Sequence, residues 1–369
     1  MFSASDSLPS PPSHLDVTTP RSAPPPAIGL GHAMVRSPQF GLVVVLVVLM
    51  MALTLAAGSH VDPQTGAEVN NFFNRYTLIQ MATDASAFAI MGVGATLVII
   101  AGGIDLSVGA IYALAGVAMA MVLRAVGPID PVATVLLGLG VCVAVSQLCG
   151  LANGLMVIGL GVHPFIITLG TMWMLRGLAF VISRAESILV PTALTAVAKA
   201  PLGLGTALYP VPLLSMLAVT AAGGIYLSRT VPGRHIFAVG GNPEASRFSG
   251  LSVPRITLGV FVLSGLAAGA AAFLGAAFYG SATSSDANGY ELYVVASAVV
   301  GGASLKGGKG SALSAMLGAV LIVTMRQAIR TLHLDQNYEW IIIGAAMIIA
   351  VVLDQRGTKL LAGRFARAA

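Results

Sequence analysis

Charge is scarce in this chain. Asp, Glu, Lys and Arg supply 9% of its 369 residues against 56% apolar, and the mean hydropathy is +0.89. So few charges cannot clothe a water-facing surface, which excludes an ordinary soluble globular protein. Cysteine is limited to Cys142 and Cys149, which fall on one predicted helix too far apart to bond, so cysteine usage reports no redox compartment. The six histidines are scattered, with neither a His-Glu-x-x-His helix nor a Gly-x-Ser-x-Gly elbow, which argues against a membrane protease or a metalloenzyme. A phosphate-binding loop is also missing. Gly308-Lys309 is preceded at the required offset by Ala303 and followed by Gly310, so the glycine-rich run at 301–310 reads as a tight reversal between two spans. With no catalytic residue, metal set or nucleotide site of its own, the chain must draw energy from elsewhere. The net charge of +5 and pI of 9.4 do not signal nucleic acid, because the basic residues sit beside apolar spans with no aromatic-basic module.

What the chain does have is apolar runs of membrane-spanning length. Crossing about 30 Å of hydrocarbon takes about 20 helical residues. The pattern predicts an all-α, polytopic membrane protein with ten spans, near 39–57, 77–101, 104–125, 132–158, 165–183, 210–228, 255–280, 290–304, 310–332 and 338–354. Unbroken apolar runs exclude the alternation of a barrel. Residues 1–38 are rich in Pro, Ser and Thr and read as a disordered cytoplasmic tail; residues 355–369 form a basic one. A cleaved signal peptide is the rival reading for the first apolar run, but its length and late position favour a retained anchor. Starting inside, the count places Arg21, Arg36, Arg229, Arg234, Arg247, Arg255, Lys306, Lys309 and Arg356 in the cytoplasm, with both termini there, as the positive-inside rule requires.

The loop at 229–255 carries helix signals. Asn242 suits an N-cap, Pro243 the first turn, Glu244 the positive dipole end and Gly250 a left-handed C-terminal position. A helix this short is marginal alone and needs something to dock on. Ala245, Phe248 and Leu251 offer a small apolar stripe flanked by Arg234 and Arg247. Two readings stand: a groove on a cytoplasmic partner, or the protein's own helix ends.

The most telling polar residue is Asp105 in Gly102-Gly103-Ile104-Asp105-Leu106-Ser107-Val108-Gly109. A charge at a helix centre in the bilayer costs roughly 2.5 to 3.5 kcal/mol on insertion scales, so it faces a cavity or a partner. With Ser107, Gln147, Asn153, Thr168, Thr171, Arg176, Tyr290 and Glu291, it outlines a hydrogen-bonding path suited to a polar solute without strong net charge. For Asp105, holding helix ends together is favoured over contact with solute. Gly102-Gly103-x-x-Leu106 and Gly301-Gly302-x-x-Leu305 hint at an internal repeat.

Six motifs in order carry a family resemblance: Gly102 to Gly109; Gly150-Leu151-Ala152-Asn153-Gly154; Pro164-Phe165-Ile166-Ile167-Thr168-Leu169-Gly170-Thr171; Gly240-Gly241-Asn242-Pro243-Glu244-Ala245; Gly289-Tyr290-Glu291-Leu292; and Gly301 to Gly310. Over residues 77–354 the chain resembles permease subunits of bacterial ribose-type monosaccharide ABC importers. The resemblance implies a multi-pass protein of the bacterial inner membrane, paired with a second permease chain as a homodimer. Its further partners are cytoplasmic ATP-binding subunits, which hold ATP and Mg, and an extracytoplasmic sugar-binding protein. It makes Gly241, Asn242, Pro243, Glu244, Ala245, Arg247 and Phe248 the ATPase-coupling segment, and leaves Asp105, Ser107, Asn153, Thr168, Tyr290 and Glu291 as translocation-path candidates. Two positions depart from the family: Tyr293 where Asp is common, and His163 where Pro often precedes Pro164. Import of a polyol, nucleoside or branched-chain amino acid, ion-coupled transport through Asp105 or Glu291, and a docking scaffold are the alternatives.

Overall fold

The computed structural model describes residues 38–62, 66–201, 209–349 and 352. The tails expected at 1–38 and 355–369 therefore lie outside the described residues, Pro38 excepted. The helices are α1 (Pro38–Ala56), α2 (Arg75–Ile100), α3 (Val108–Val126), α4 (Pro131–Leu160), α5 (Pro164–Ser183), α6 (Thr192–Ala198), α7 (Val211–Arg229), α8 (Val231–Gly241), α9 (Pro243–Phe248), α10 (Val253–Tyr279), α11 (Tyr290–Val300), α12 (Ala312–Thr331) and α13 (Tyr338–Ile349). Antiparallel β1 (Ser59–Val61) and β2 (Glu68–Asn70) form a hairpin in register Ser59 to Asn70, and β3 (Ile188–Leu189) pairs with β4 (Ser281–Ala282).

Among the described residues, eight helices are long and apolar enough to cross a membrane. The other two stretches read as spans form the shorter helices α11 and α13. With eleven residues, α11 rises only about 16 Å, half a bilayer core. Between α10 and α11 the chain forms the two-residue strand β4 and then a run of turns over 284–289.

Helix boundaries follow local chemistry. Asn74 and Asp130 cap α2 and α4 by accepting from Thr77 N–H and from Val132 and Ala133 N–H, while Pro131 and Pro164 occupy first turns where no donor is needed. The long helices then pack around α2, of whose most apolar stretch 89% is buried, against 17% for α1 on the rim. Contact between α4 and α10 depends on small residues. A Cβ on Gly150 would lie 2.4 Å from Phe261 O, and one on Gly265 would lie 2.4 Å from Ser146 O, so two backbones meet without side chains between them.

The two glycine turns share one geometry, in a register one residue away from that of the sequence match. Gly102 has φ +91 and Gly302 has φ +98. Gly102 N–H donates to Ile99 O and Gly103 N–H to Val98 O, while Gly302 N–H donates to Val299 O and Ala303 N–H to Ala298 O. Gly102 thus corresponds to Gly302 rather than Gly301, whose φ is −63. Both turns end helices at the bundle end that carries Arg229, Arg234, Arg247, Lys306 and Lys309, here termed the basic end. The β1–β2 hairpin marks the opposite, hairpin end.

Candidate functional site

At the basic end, the turn from α2 to α3 buries Asp105 to 1% exposure. Its Oδ1 accepts from Ser107 N–H at 2.9 Å and from Ser107 Oγ at 2.6 Å, and its Oδ2 accepts from Ser264 Oγ of α10 at 2.8 Å. Asn153 of α4 donates Nδ2 to Ser107 Oγ at 2.7 Å, and Thr168 of α5 donates Oγ1 to Ile104 O at 3.1 Å. Four of the six path candidates, Asp105, Ser107, Asn153 and Thr168, are therefore brought together as a hydrogen-bonded knot joining α4, α5 and α10, in which Asn153 Oδ1 is buried without a hydrogen-bond partner. Asp105→Ala strands three donors, and a buried unsatisfied group costs about 1 to 3 kcal/mol. The expected result is a clear loss of thermal stability in detergent, and an unchanged melting profile would refute it.

The other two candidates lie on α11. Glu291 is 9% exposed in its first turn, where the helix dipole favours an acid. Its Oε2 would be 2.5 Å from a Cβ on Gly109, the last residue of the Asp105 motif, and Arg176 Nη2 would be 3.6 Å from the same point. Arg176, from α5, reaches into the non-helical stretch before α11. Its Nη1 donates to Ser284 O at 2.8 Å and Asp286 O at 2.6 Å, and its Nη2 to Ala287 O at 3.2 Å. That fork supplies partners to carbonyl groups of a turn segment inside the bundle that lie outside any helix. Tyr290 points elsewhere, into a cavity.

This cavity, of about 210 Å³, opens between α2, α3, α10, α11 and α12 toward the hairpin end. Gln80, Asp84 and Phe88 line it at positions i, i+4 and i+8 of α2; Arg326 and Arg330 face them at i and i+4 of α12. Asp84 Oδ1 accepts from Gln80 Nε2 at 3.0 Å and from Tyr279 Oη at 3.3 Å, while its Oδ2 is 3.7 Å from Arg330 Nη1. Arg326 Nε pairs with Glu339 Oε1 at 2.7 Å, and the guanidinium lies 5.6 Å from the Phe88 ring and 5.2 Å from that of Tyr293. Tyr293 also donates to Glu339 Oε1 at 2.6 Å, so the tyrosine that departs from the family pattern serves the carboxylate that holds Arg326. Of the sequence candidates only Tyr290 lines this space. Gln80, Asp84, Arg326 and Arg330 escaped sequence reasoning, although paired polar residues one turn apart inside apolar runs were there to be seen.

At the basic end, Asn242 caps α9 by accepting from Ala245 N–H at 2.9 Å, Pro243 opens it, and Gly250 closes the turn at φ +84. Only Ser246 of α9 is buried; Glu244, Ala245 and Arg247 are exposed, and Phe248 is 86% exposed. The apolar stripe does not fold back on the chain's own helix ends. Gly240, just before it, is clamped: a Cβ there would be 1.6 Å from Ile100 O and 2.7 Å from Gly308 N. Among the described residues, no group of three or more His, Cys, Asp or Glu is placed to hold a metal ion.

Known proteins give this geometry its context. A D-allose transport system permease of Escherichia coli K12 is 34% identical over 308 residues, covering 83% of this chain and 90% of the relative. A ribose import permease of Haemophilus influenzae is 35% identical over 79% of this chain and 89% of its own length. A fructose import permease of Rhizobium meliloti is 30% identical over 88% of each. No solved structure matches. The family model of the branched-chain amino acid transport system / permease component matches residues 77–351, which takes in both glycine turns, the cavity and the exposed short helix. The chain belongs to that family and is a multi-pass permease of the inner membrane.

Proposed function

We propose that this protein is the membrane subunit of an ATP-driven ABC importer that carries a monosaccharide, a pentose or hexose, into the cytoplasm. The observation that carries the motor half of this reading is α9: a capped helix of six residues with an apolar ring left in the open at the basic end. A helix too short to be stable alone, held in place by its caps and offering Phe248 outward, is built to enter another protein's groove. In this reading the basic end faces the cytoplasm, both termini lie there, and α11 and α13 complete about ten crossings. An ATPase subunit that holds ATP and Mg receives α9 through Asn242, Pro243, Glu244, Ala245, Arg247 and Phe248. The permease itself binds no cofactor and catalyses no reaction. A second copy completes the conduit, and a sugar-binding protein docks at the hairpin end. The names of the allose, ribose and fructose relatives support a sugar as cargo.

Transport follows by alternating access. Nucleotide must bind the two assembly states with different free energies, and α9 conveys that difference to the bundle. Asp105 holds three helices together near the cytoplasmic mouth rather than touching solute. Replacing a hot-spot side chain costs about 2 kcal/mol, roughly 30-fold in affinity. Phe248→Ala combined with Glu244→Ala is therefore expected to abolish stimulation of the purified ATPase by this chain and its loaded binding protein, with the permease still abundant in membranes. Wild-type stimulation and uptake would overturn the coupling role. Uptake that collapses with a protonophore while ATP is maintained would instead select ion coupling.

A further inference from the structure

Three charged residues, Asp84, Arg326 and Arg330, line the cavity at the hairpin end, and Glu339, outside that lining, completes two opposite-charge pairs. Arg326 is committed to Glu339 at 2.7 Å, and Tyr293 braces the same carboxylate. Arg330 and Asp84 are 3.7 Å apart, beyond the roughly 2.7–2.9 Å of a tight charge-assisted hydrogen bond, and the Arg330 side chain is 45% exposed. The first pair is the closer contact; the second is loose, with donors and lone pairs still free. No charge is left over to attract an ionic solute. Beside the loose pair, the Phe88 and Tyr290 rings lie 4.5 Å apart at 42°, an apolar corner facing a polar one.

We infer that this cavity holds the solute during passage and that Asp84 and Arg330 read its hydroxyl groups, taking an uncharged ring-form sugar. The inference rests on the sugar-import reading above. A hydroxyl both donates and accepts, so neighbouring hydroxyls of a sugar bridge the loose pair, giving a proton to Asp84 while receiving one from Arg330. The C–H face of the ring then lies against Phe88 and Tyr290. Asp84 is thereby a specificity-determining residue, although it sits on the most buried helix of the bundle.

The test is uptake by cells carrying the complete importer, normalised to permease abundance, with D-ribose, D-allose, D-fructose and L-leucine as probes. Asp84→Asn keeps the side-chain shape and removes the charge. Losing a hydrogen bond to a charged group costs about 1.5 to 3 kcal/mol, so uptake of the preferred sugar should fall at least about tenfold. The ratios among the three sugars should change too, which a merely structural defect would not cause. Should that variant fail to reach the membrane, Tyr290→Phe, which deletes one hydroxyl, is expected to alter the same ratios. Unchanged rates and ratios in a recovered variant refute the cavity while leaving the sugar reading intact. Wild-type uptake of leucine with none of the three sugars refutes the sugar reading and this inference with it.

Discussion

Gly240→Ala should remove nearly all folded protein from the membrane, whereas Gly241→Ala, one residue on, should be silent. The added methyl at 240 would lie 1.6 Å from Ile100 O, 2.8 Å from Ile100 C and 2.7 Å from Gly308 N. All three are backbone atoms, so no rotamer relieves the clash. The methyl would also intrude on the 2.8 Å hydrogen bond in which Gly308 N–H donates to Ile100 O. Overpacking of ordinary side chains costs about 1 to 3 kcal/mol, and this contact should exceed that range. At Gly241 a Cβ meets nothing within 4 Å. Fluorescence-detected size exclusion of tagged variants checks both; a monodisperse Gly240→Ala protein at wild-type yield would show that the junction yields easily. The junction also has a functional meaning. It ties Gly240, in the last turn of α8, to the end of α2 and to the turn before α12, the two helices that carry Asp84 and Arg330. In the proposed reading, this backbone contact links the coupling segment to the helices that line the cavity.

Arg176→Met is expected to cost nearly as much, for the opposite reason: it removes a partner instead of adding a clash. Ser284, Asp286 and Ala287 would lose the donors to their carbonyl groups, and Glu291 would lose the neighbouring positive charge. Removing one member of a buried charged network costs about 3 to 5 kcal/mol. The 281–289 stretch would no longer be fixed, and α11 with its cavity residue Tyr290 would shift. Both thermal stability and sugar uptake should fall. Arg176→Lys should recover only a fraction of either, because a single ammonium cannot reproduce a planar fork that serves three carbonyls. Full recovery by lysine would mean that charge alone matters at this position.

The legible features of this protein were local. Asn242, Pro243, Glu244 and Gly250 announce α9 because caps and dipoles act within one turn of the chain. The spans announce themselves by length, whereas the exposure of Phe248 on α9 is visible only in the folded chain. Asp105 was rightly singled out as a residue in need of partners, but Ser264 lies 159 positions away and its role as a donor had no sequence signal. The half-length of α11 was hidden as well. The span read at 290–304 keeps its helix only to Val300, and the segment before it is held by Arg176, more than a hundred residues earlier. Gln80, Asp84, Arg326 and Arg330 could have been noticed as polar pairs one turn apart, but not as a single site.

Composition and local pattern by themselves determined the solvent of this chain, its helical class and the capped short helix α9, because hydropathy and capping depend on neighbours in the chain. Tertiary structure alone decided that Asp105, Ser107, Asn153 and Thr168 close upon one another, while Asp84 meets Tyr279, 195 residues away, and Arg330 beside a cavity. The physical reason is that a buried charge takes its meaning from whatever packing brings within a few ångströms, and packing joins residues without regard to their separation along the chain.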